Sequence, residues 1–262
     1  MPKPQPITLG VLLRVHDRPT TTRIILEEFK HWAAISPPEL LIRTTVIADR
    51  PTTKVDDLCR RALDDKTIVA YYKAHKPLLA PDGEHLTESQ NWQLNVLEMI
   101  CTPDWCYLSD DDRFIEPVKA RKFLLPSLQR TDVDVFFFES LFFYGDSDTY
   151  TTTRSHHSGL LWRHQRGARF SCTREIHVPD ELYDAAIMRD RVKDFPAPIL
   201  DYGTFSHEEC LKHVARFNAI GKNDDYTKSA LLPPKLKVFP HDYDPGYGAW
   251  IDRMAEAQRA AH

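Results

Sequence analysis

The sequence predicts an α/β fold with a mainly parallel sheet flanked by helices. Three observations carry this expectation. Through about residue 130, short apolar runs rich in β-branched residues alternate with segments whose apolar residues recur at helical spacing. Each run ends at a polar cluster of the kind that turns a chain after a strand. The chain of 262 residues is 42% hydrophobic, enough for one large domain with a substantial core.

The elements follow in order. Residues 7–15 form an apolar run whose length and composition fit a buried strand, and it stops at His16-Asp17-Arg18-Pro19. Residues 20–34 place Ile25, Phe29 and Trp32 on one helical face. A second strand, 40–48, ends at Asp49-Arg50-Pro51-Thr52, and a short helix over 55–63 carries Val55, Leu58, Cys59 and Ala62 on one side. Residues 67–72 read as a third strand and 74–85 as a polar loop. Thr87-Glu88-Ser89-Gln90 is a capping-box pattern, which predicts that a helix opens there with Trp92, Val96, Met99 and Ile100 toward the core. Residues 106–108 form the next strand, Pro117 opens a helix running to about Leu128, and 133–143 is a very apolar strand. Beyond it the pattern is less regular, with helices expected over 180–192 and 206–217, a Pro/Gly/Tyr-rich stretch around 239–248 and a final amphipathic helix.

Composition excludes several classes. A net charge of −4 gives no overall pull toward nucleic acid or anionic membrane. The five cysteines form no CxxC pair, which argues against a zinc site or a disulfide framework and for a reducing compartment. The opening Met-Pro-Lys-Pro-Gln-Pro lacks a signal-peptide core, and no apolar run is long enough to span a bilayer. The expectation is a cytoplasmic protein.

The most informative stretch is Ser109-Asp110-Asp111-Asp112, where a strand-like run ends in consecutive carboxylates. Such charges repel, the more so as water is excluded, and are tolerable if solvated or if a cation sits between them. Hard oxygen ligands suit Mg²⁺ or Mn²⁺ held jointly with substrate phosphates. In a parallel α/β sheet, ligands bind at the carboxyl ends of strands. The loops at 16–19, 49–52 and 110–112 all follow strand ends and are therefore expected to converge on one crevice. The plain alternative for each is a solvated turn.

In order and spacing these motifs resemble those of GT-A nucleotide-sugar glycosyltransferases of the large family-2 type. In that family the first strand ends in a motif like Thr-Tyr-Asn-Arg, matched here by Arg14-Val15-His16-Asp17-Arg18-Pro19. The second ends in an Asp that reads the nucleobase, matched by Asp49, and the fourth in a metal-binding DxD motif, matched by 110–112. About a hundred residues later an acidic pair opens a helix and supplies the catalytic base, matched by His207-Glu208-Glu209. Glu209 stands where the family usually has Asp. The resemblance covers the first half well and the second half through that helix alone.

The resemblance implies a single GT-A-like domain, with 1–130 as the nucleotide-sugar half and 131–262 as the acceptor half. It implies transfer of a sugar, with a UDP-linked donor expected, to an acceptor hydroxyl. Asp110 and Asp112 would hold Mn²⁺ or Mg²⁺, and Asp110 and Asp111 would face the donor. His16, Asp17, Arg18, Asp49 and Asn91 would bind the nucleotide sugar. Glu209 would be the base of an inverting transfer with Glu208 in reserve, and His241 would be a further metal ligand. Each has a structural alternative: Glu209 completes a capping box with Ser206, Asp49 and Asp17 suit turns, Asn91 suits an exposed helix position, and a lone His is often structural. The processive-synthase motif Gln-x-x-Arg-Trp is absent, as is a Gly-rich phosphate loop after the first strand that would mark a nucleotidyltransferase.

Residues 149–174 contain no Asp or Glu but hold Arg154, Arg163, Arg166, Arg169 and Arg174 with His156, His157 and His164. This stretch suits a phosphorylated or polyanionic acceptor, including nucleic acid with a modified base, or a solvated loop. A non-catalytic nucleotide- or glycan-binding module is the remaining alternative.

Overall fold

The computed structural model describes residues 5–35, 39–75, 78, 84–143, 149–171, 177–201, 211, 215 and 235–238. The chain begins with three strand–helix–strand units. Strand β1 (Ile7–Val15) leads to α1 (Pro19–Ile35), β2 (Leu40–Asp49), α2 (Thr53–Asp64), β3 (Ala70–Ala74), α3 (Glu84–Ile100) and β4 (Trp105–Asp110). Pro19 suits the first position of α1, where its missing N–H is no loss. Strands β3, β2, β1 and β4 lie side by side in that order, all parallel. Successive side chains of a strand point to opposite faces, and β3 shows what covers each. Tyr71 and Lys73 reach Asp56 of α2, whereas Tyr72 stacks on Trp92 of α3 with ring centroids 5.4 Å apart.

After β4 come β5 (Arg113–Ile115), α4 (Pro117–Leu128), β6 (Val135–Phe143), β7 (Thr149–Arg163), α5 (Asp180–Met188), β8 (Val192–Asp194), β9 (Ile199–Asp201) and β10 (Leu236–Val238). Strand β7 runs antiparallel and joins the two parts of the sheet. Its last residues pair with the start of β4, its length pairs with β6, and its first residues also pair with β10. Strand β9 lies parallel to β6 and antiparallel to β5. One ten-stranded sheet of parallel and antiparallel pairs results.

The fold class is the mainly parallel α/β arrangement that the alternating pattern predicts. Helix α3, however, starts at Glu84, so 87–90 lies inside it rather than at its cap. Helix α5 stops at Met188, and Asp190 then takes a positive φ of 52°. The sequence gives no sign of the three-residue strands β5, β8, β9 and β10. The expected helix at 206–217, the 239–248 stretch and the final helix lie outside the described residues. Among the described residues no helix is long and apolar enough to cross a membrane.

Candidate functional site

Because β1, β2 and β4 are parallel neighbours, their carboxyl ends lie together. Asp110 is the last residue of β4, and its register partner on β1 is Arg14. Arg14 grips Asp110 in a two-pronged contact, Nε to Oδ1 at 2.5 Å and Nη2 to Oδ2 at 2.7 Å. The Arg113 guanidinium adds a contact to Oδ2 at 3.3 Å. Both oxygens of Asp110 are thus engaged by arginines. Burial works to raise this carboxyl, but the Arg14 and Arg113 charges hold it well below the usual carboxylate range.

Asp111 and Asp112 differ from it. The Asp111 N–H donates to the Arg14 carbonyl at 3.0 Å, carrying the β1–β4 ladder one residue further. Its side chain turns inward, and Oδ2 accepts from the His16 N–H at 3.1 Å and the Thr22 hydroxyl at 3.2 Å. Oδ1 is buried and has no hydrogen-bond partner among the described residues. Burial pushes the Asp111 carboxyl up to about 6, against the pull of His16 and Arg18. Asp112 pairs with Arg18, its one partner among the described residues. Burial opposes ionisation there too, yet the Arg18 charge lowers the Asp112 carboxyl. The three carboxylates are 7%, 0% and 8% exposed, so this is no solvated turn.

The other two loops join this one. The Asp17 carboxylate accepts the Thr52 N–H at 3.2 Å, linking the turns after β1 and β2. Asp49 is buried at the end of β2; its Oδ1 accepts the Leu78 N–H at 3.3 Å and faces Arg50 Nε at 3.5 Å. Arg50 itself takes a left-handed backbone, with φ 48°. This costs a side-chain-bearing residue about 1–2 kcal/mol and turns the chain sharply beside Asp49. His16, Asp17, Arg18, Asp49 and 110–112 are therefore brought together at the carboxyl ends of β1, β2 and β4. Asn91 is used otherwise: its amide accepts the Phe170 N–H at 2.8 Å and donates to the Phe170 carbonyl at 3.0 Å. Glu208, Glu209 and His241 lie outside the described residues.

Arg113 and Asp201 were not read from the sequence as site residues, and Arg14 was noted only as part of a motif. Arg113 Nε meets Asp201 Oδ2 at 2.9 Å across the β5–β9 pair, so Asp201 joins the acidic cluster from a distant part of the chain. Arg14 left a visible signal, a cation inside an apolar strand; Asp201 left none.

Most of the described basic residues of 149–174 are engaged elsewhere. Arg163 lies over the Trp105 ring at 4.6 Å and faces Asp134 at 3.4 Å. Arg169 and His164 both meet Glu98, at 2.8 and 3.1 Å. His157 stands 4.0 Å from Asp194, and Arg166 is exposed. Arg174 and the side chains of Arg154 and His156 lie outside the described residues.

Asp112 offers hard carboxylate oxygen with a single, partly exposed arginine as partner, and so fits as one ligand of a divalent cation. Among the described residues no group of three or more His, Cys, Asp or Glu could hold a metal ion.

No protein-family model matches the sequence, and no curated protein matches it. In overall arrangement the chain is similar to solved glycosyltransferase structures. One is S. aureus TarS 1–349 in complex with UDP-GlcNAc, at 10% identity and a TM-score of 0.45, covering 86% of this chain and 70% of that one. Against the longer S. aureus TarS structure, the match spans 41% of that chain. Another is glucosyl-3-phosphoglycerate synthase from Mycobacterium tuberculosis in complex with Mn²⁺, UDP and glucosyl-3-phosphoglycerate, at 12% identity, TM-score 0.47, 84% of this chain and 82% of that one. A third is the mannosyltransferase PcManGT from Pyrobaculum calidifontis in complex with GDP-Man and Mn²⁺, at 12% identity, TM-score 0.48, 99% of this chain and 76% of that one.

Proposed function

We propose that the chain is a GT-A glycosyltransferase that moves a sugar from a nucleotide-diphosphate donor, UDP-linked in the first instance, to an acceptor hydroxyl. The observation that carries this reading is the joining of three strand-end loops by His16–Asp111, Arg18–Asp112 and Asp17–Thr52 contacts. The carboxyl ends of the strands of a parallel α/β sheet are where ligands such as nucleotides bind. Here they carry a charged, largely buried cluster, in which fixed charges act more strongly than they do in water.

In this reading Asp49 and the 16–18 loop hold the nucleoside, and Arg18 faces the diphosphate. Asp112 would hold Mn²⁺ or Mg²⁺, with His241 as a further ligand. When bound, the cation neutralises the leaving diphosphate as a Lewis acid. Glu209, with Glu208 in reserve, accepts the acceptor hydroxyl's proton as that oxygen attacks the anomeric carbon. The bond from that carbon to the diphosphate breaks, and the configuration inverts. The domain is used as a nucleotide half, 1–130, and an acceptor half, 131–262. A cytoplasmic location belongs to the same proposal, supported by free Cys59, Cys101 and Cys106.

The test is a thermal-shift screen of nucleotide sugars with and without Mn²⁺, followed by transfer assays on Glu209→Gln. A ligand that binds the folded state raises the melting point by mass action. One donor is expected to stabilise the chain, and the variant is expected to bind it while losing transfer. No shift with any nucleotide sugar would sink the reading, and an active Glu209→Gln variant would remove the base assignment.

A further inference from the structure

We propose that Asp110 is a positioning residue and not a cation ligand. It is the hub of an ion-pair chain, Arg14–Asp110–Arg113–Asp201, that fixes the loop at 110–112 against strand β9 of the acceptor half. This rests on the transfer reading above.

Both outer links are locked by backbone register. Arg14 and Asp110 are direct partners on the β1–β4 ladder, and Arg113 and Asp201 are direct partners on the β5–β9 ladder. Arg113 joins the two, with Nη1 on Asp110 at 3.3 Å and Nε on Asp201 at 2.9 Å. Four separate strands are tied by three contacts in a little-exposed environment, where removing one partner leaves another charge unpaired.

For Asp110 to take a divalent cation, the Arg14 guanidinium would have to leave Oδ1, only 2.5 Å away, or stand beside a second positive charge. Asp112 has the opposite design: its partner is Arg18, whose side chain is 27% exposed and which is not its ladder partner. The cluster thus divides its labour. Asp112 and Arg18 face the donor, while Asp110 spends both oxygens aligning the arginines.

The chain also sets a spatial relation that the proposed chemistry needs. Strand β9 ends at Asp201, and the sequence then runs to Glu208 and Glu209. Arg113 thereby ties Asp201, which precedes Glu208 by seven positions in the sequence, to the end of β4. Asp110 therefore acts through other residues.

The experiment uses the full chain and Mn²⁺ with UDP as probe. Mn²⁺ binding is read by electron paramagnetic resonance, and kcat is normalised to bound UDP so that unfolded protein does not count. Asp112→Asn is expected to lose Mn²⁺ binding. Asp110→Asn is expected to keep Mn²⁺ affinity and donor KM within about threefold, while kcat per bound UDP falls about tenfold or more. A role confined to stability would leave that normalised kcat unchanged. Asp110→Asn that loses Mn²⁺ as completely as Asp112→Asn overturns the proposal. In case that variant does not fold, Arg113→Gln, Asp201→Asn and their double variant are compared by melting point; coupled residues give non-additive effects. Simple additivity there overturns the proposal too. If the wild-type chain binds neither UDP nor Mn²⁺, the transfer reading itself falls and the positioning role falls with it. The melting cycle still reports on the Arg113–Asp201 link.

Discussion

At the scale of single residues, the acidic triplet shows how a sequence can state a problem without its solution. Three adjacent carboxylates at a buried strand end require counter-charge. Arginines supply it: Arg14 and Arg113 on Asp110, and Arg18 on Asp112. Arg14 lies 96 positions from Asp110 in the sequence, and only the parallel β1–β4 pairing makes them neighbours. The triplet and the turns at 16–19 and 49–52 were legible because polar clusters after apolar runs mark strand ends. The pairings were not, because register across a βαβ crossover is set by tertiary packing. A second residue-scale consequence concerns Glu98. The hydrogen bonds from Arg169 outweigh burial and hold its carboxyl at about 2, below its ordinary 4.5. Its folded pKa lies below its unfolded one, so its stabilisation is complete above about 4.5 and is lost as pH falls toward 2. Glu98→Gln is expected to cost about 1 kcal/mol at neutral pH, a figure kept small because Arg169 is partly open to screening solvent. The difference from wild type should shrink at pH near 3. Urea midpoints at both pH values check this, and an unchanged difference would show that the Glu98 charge is not responsible.

At the scale of elements, Gly10 illustrates why β1 and α3 fit. A Cβ at Gly10 would stand 2.8 Å from Leu97 Cδ1 and 3.2 Å from Pro103 Cβ. The glycine makes room for α3 and the turn after it to lie directly on the strand. Gly10→Ala should destabilise the chain by about 1–3 kcal/mol through overpacking. Thermal melting checks this, and the Gly10→Ala penalty should be smaller in a Leu97→Ala background, where the clashing side chain is gone; a melting point equal to wild type would contradict the close contact. The same helix carries Gln93, fully buried, whose Nε2 donates to the Leu13 and Thr45 carbonyls at 3.2 and 2.9 Å and so pins α3 to β1 and β2. Strands β1, β2 and β6 were readable because nine or more residues of apolar strand, like three turns of helix, show their period, whereas β7, the longest strand, was not, because its first half is an unbroken run of polar Thr, Arg, Ser and His with one Tyr. Strands β5, β8, β9 and β10 are three residues each, too short for alternation to register, and they exist because a neighbouring ladder recruits them. The start of α3 was misplaced because Thr87-Glu88-Ser89-Gln90 meets the chemical pattern of a cap while lying within a helix that already runs from Glu84.

At the scale of the whole molecule, the acid-free stretch reads differently once folded. Thr149–Arg163 is one extended strand, and at about 3.3 Å per residue its basic positions, 154 to 163, are spread over about 30 Å. Arg163 and Arg169 are matched by Asp134 and Glu98. The chain is therefore expected not to shift duplex DNA at physiological salt. A shift with a steep inverse dependence on salt concentration would instead favour a nucleic-acid acceptor.

The path of β7 has a consequence for how the protein is made. It closes the sheet between β4 and β6, yet it is synthesised after both. Until residue 163 has emerged and folded back, β4 presents an unpaired edge, and Trp105, Trp162 and Phe136 have not come together in the core. Open edges invite pairing with other chains. Any fragment cut short of this strand keeps the parallel half but leaves its most apolar border exposed. The return of one long strand past an edge that waits for it thus joins the two parts of the sheet, before β8, β9 and β10 add to it.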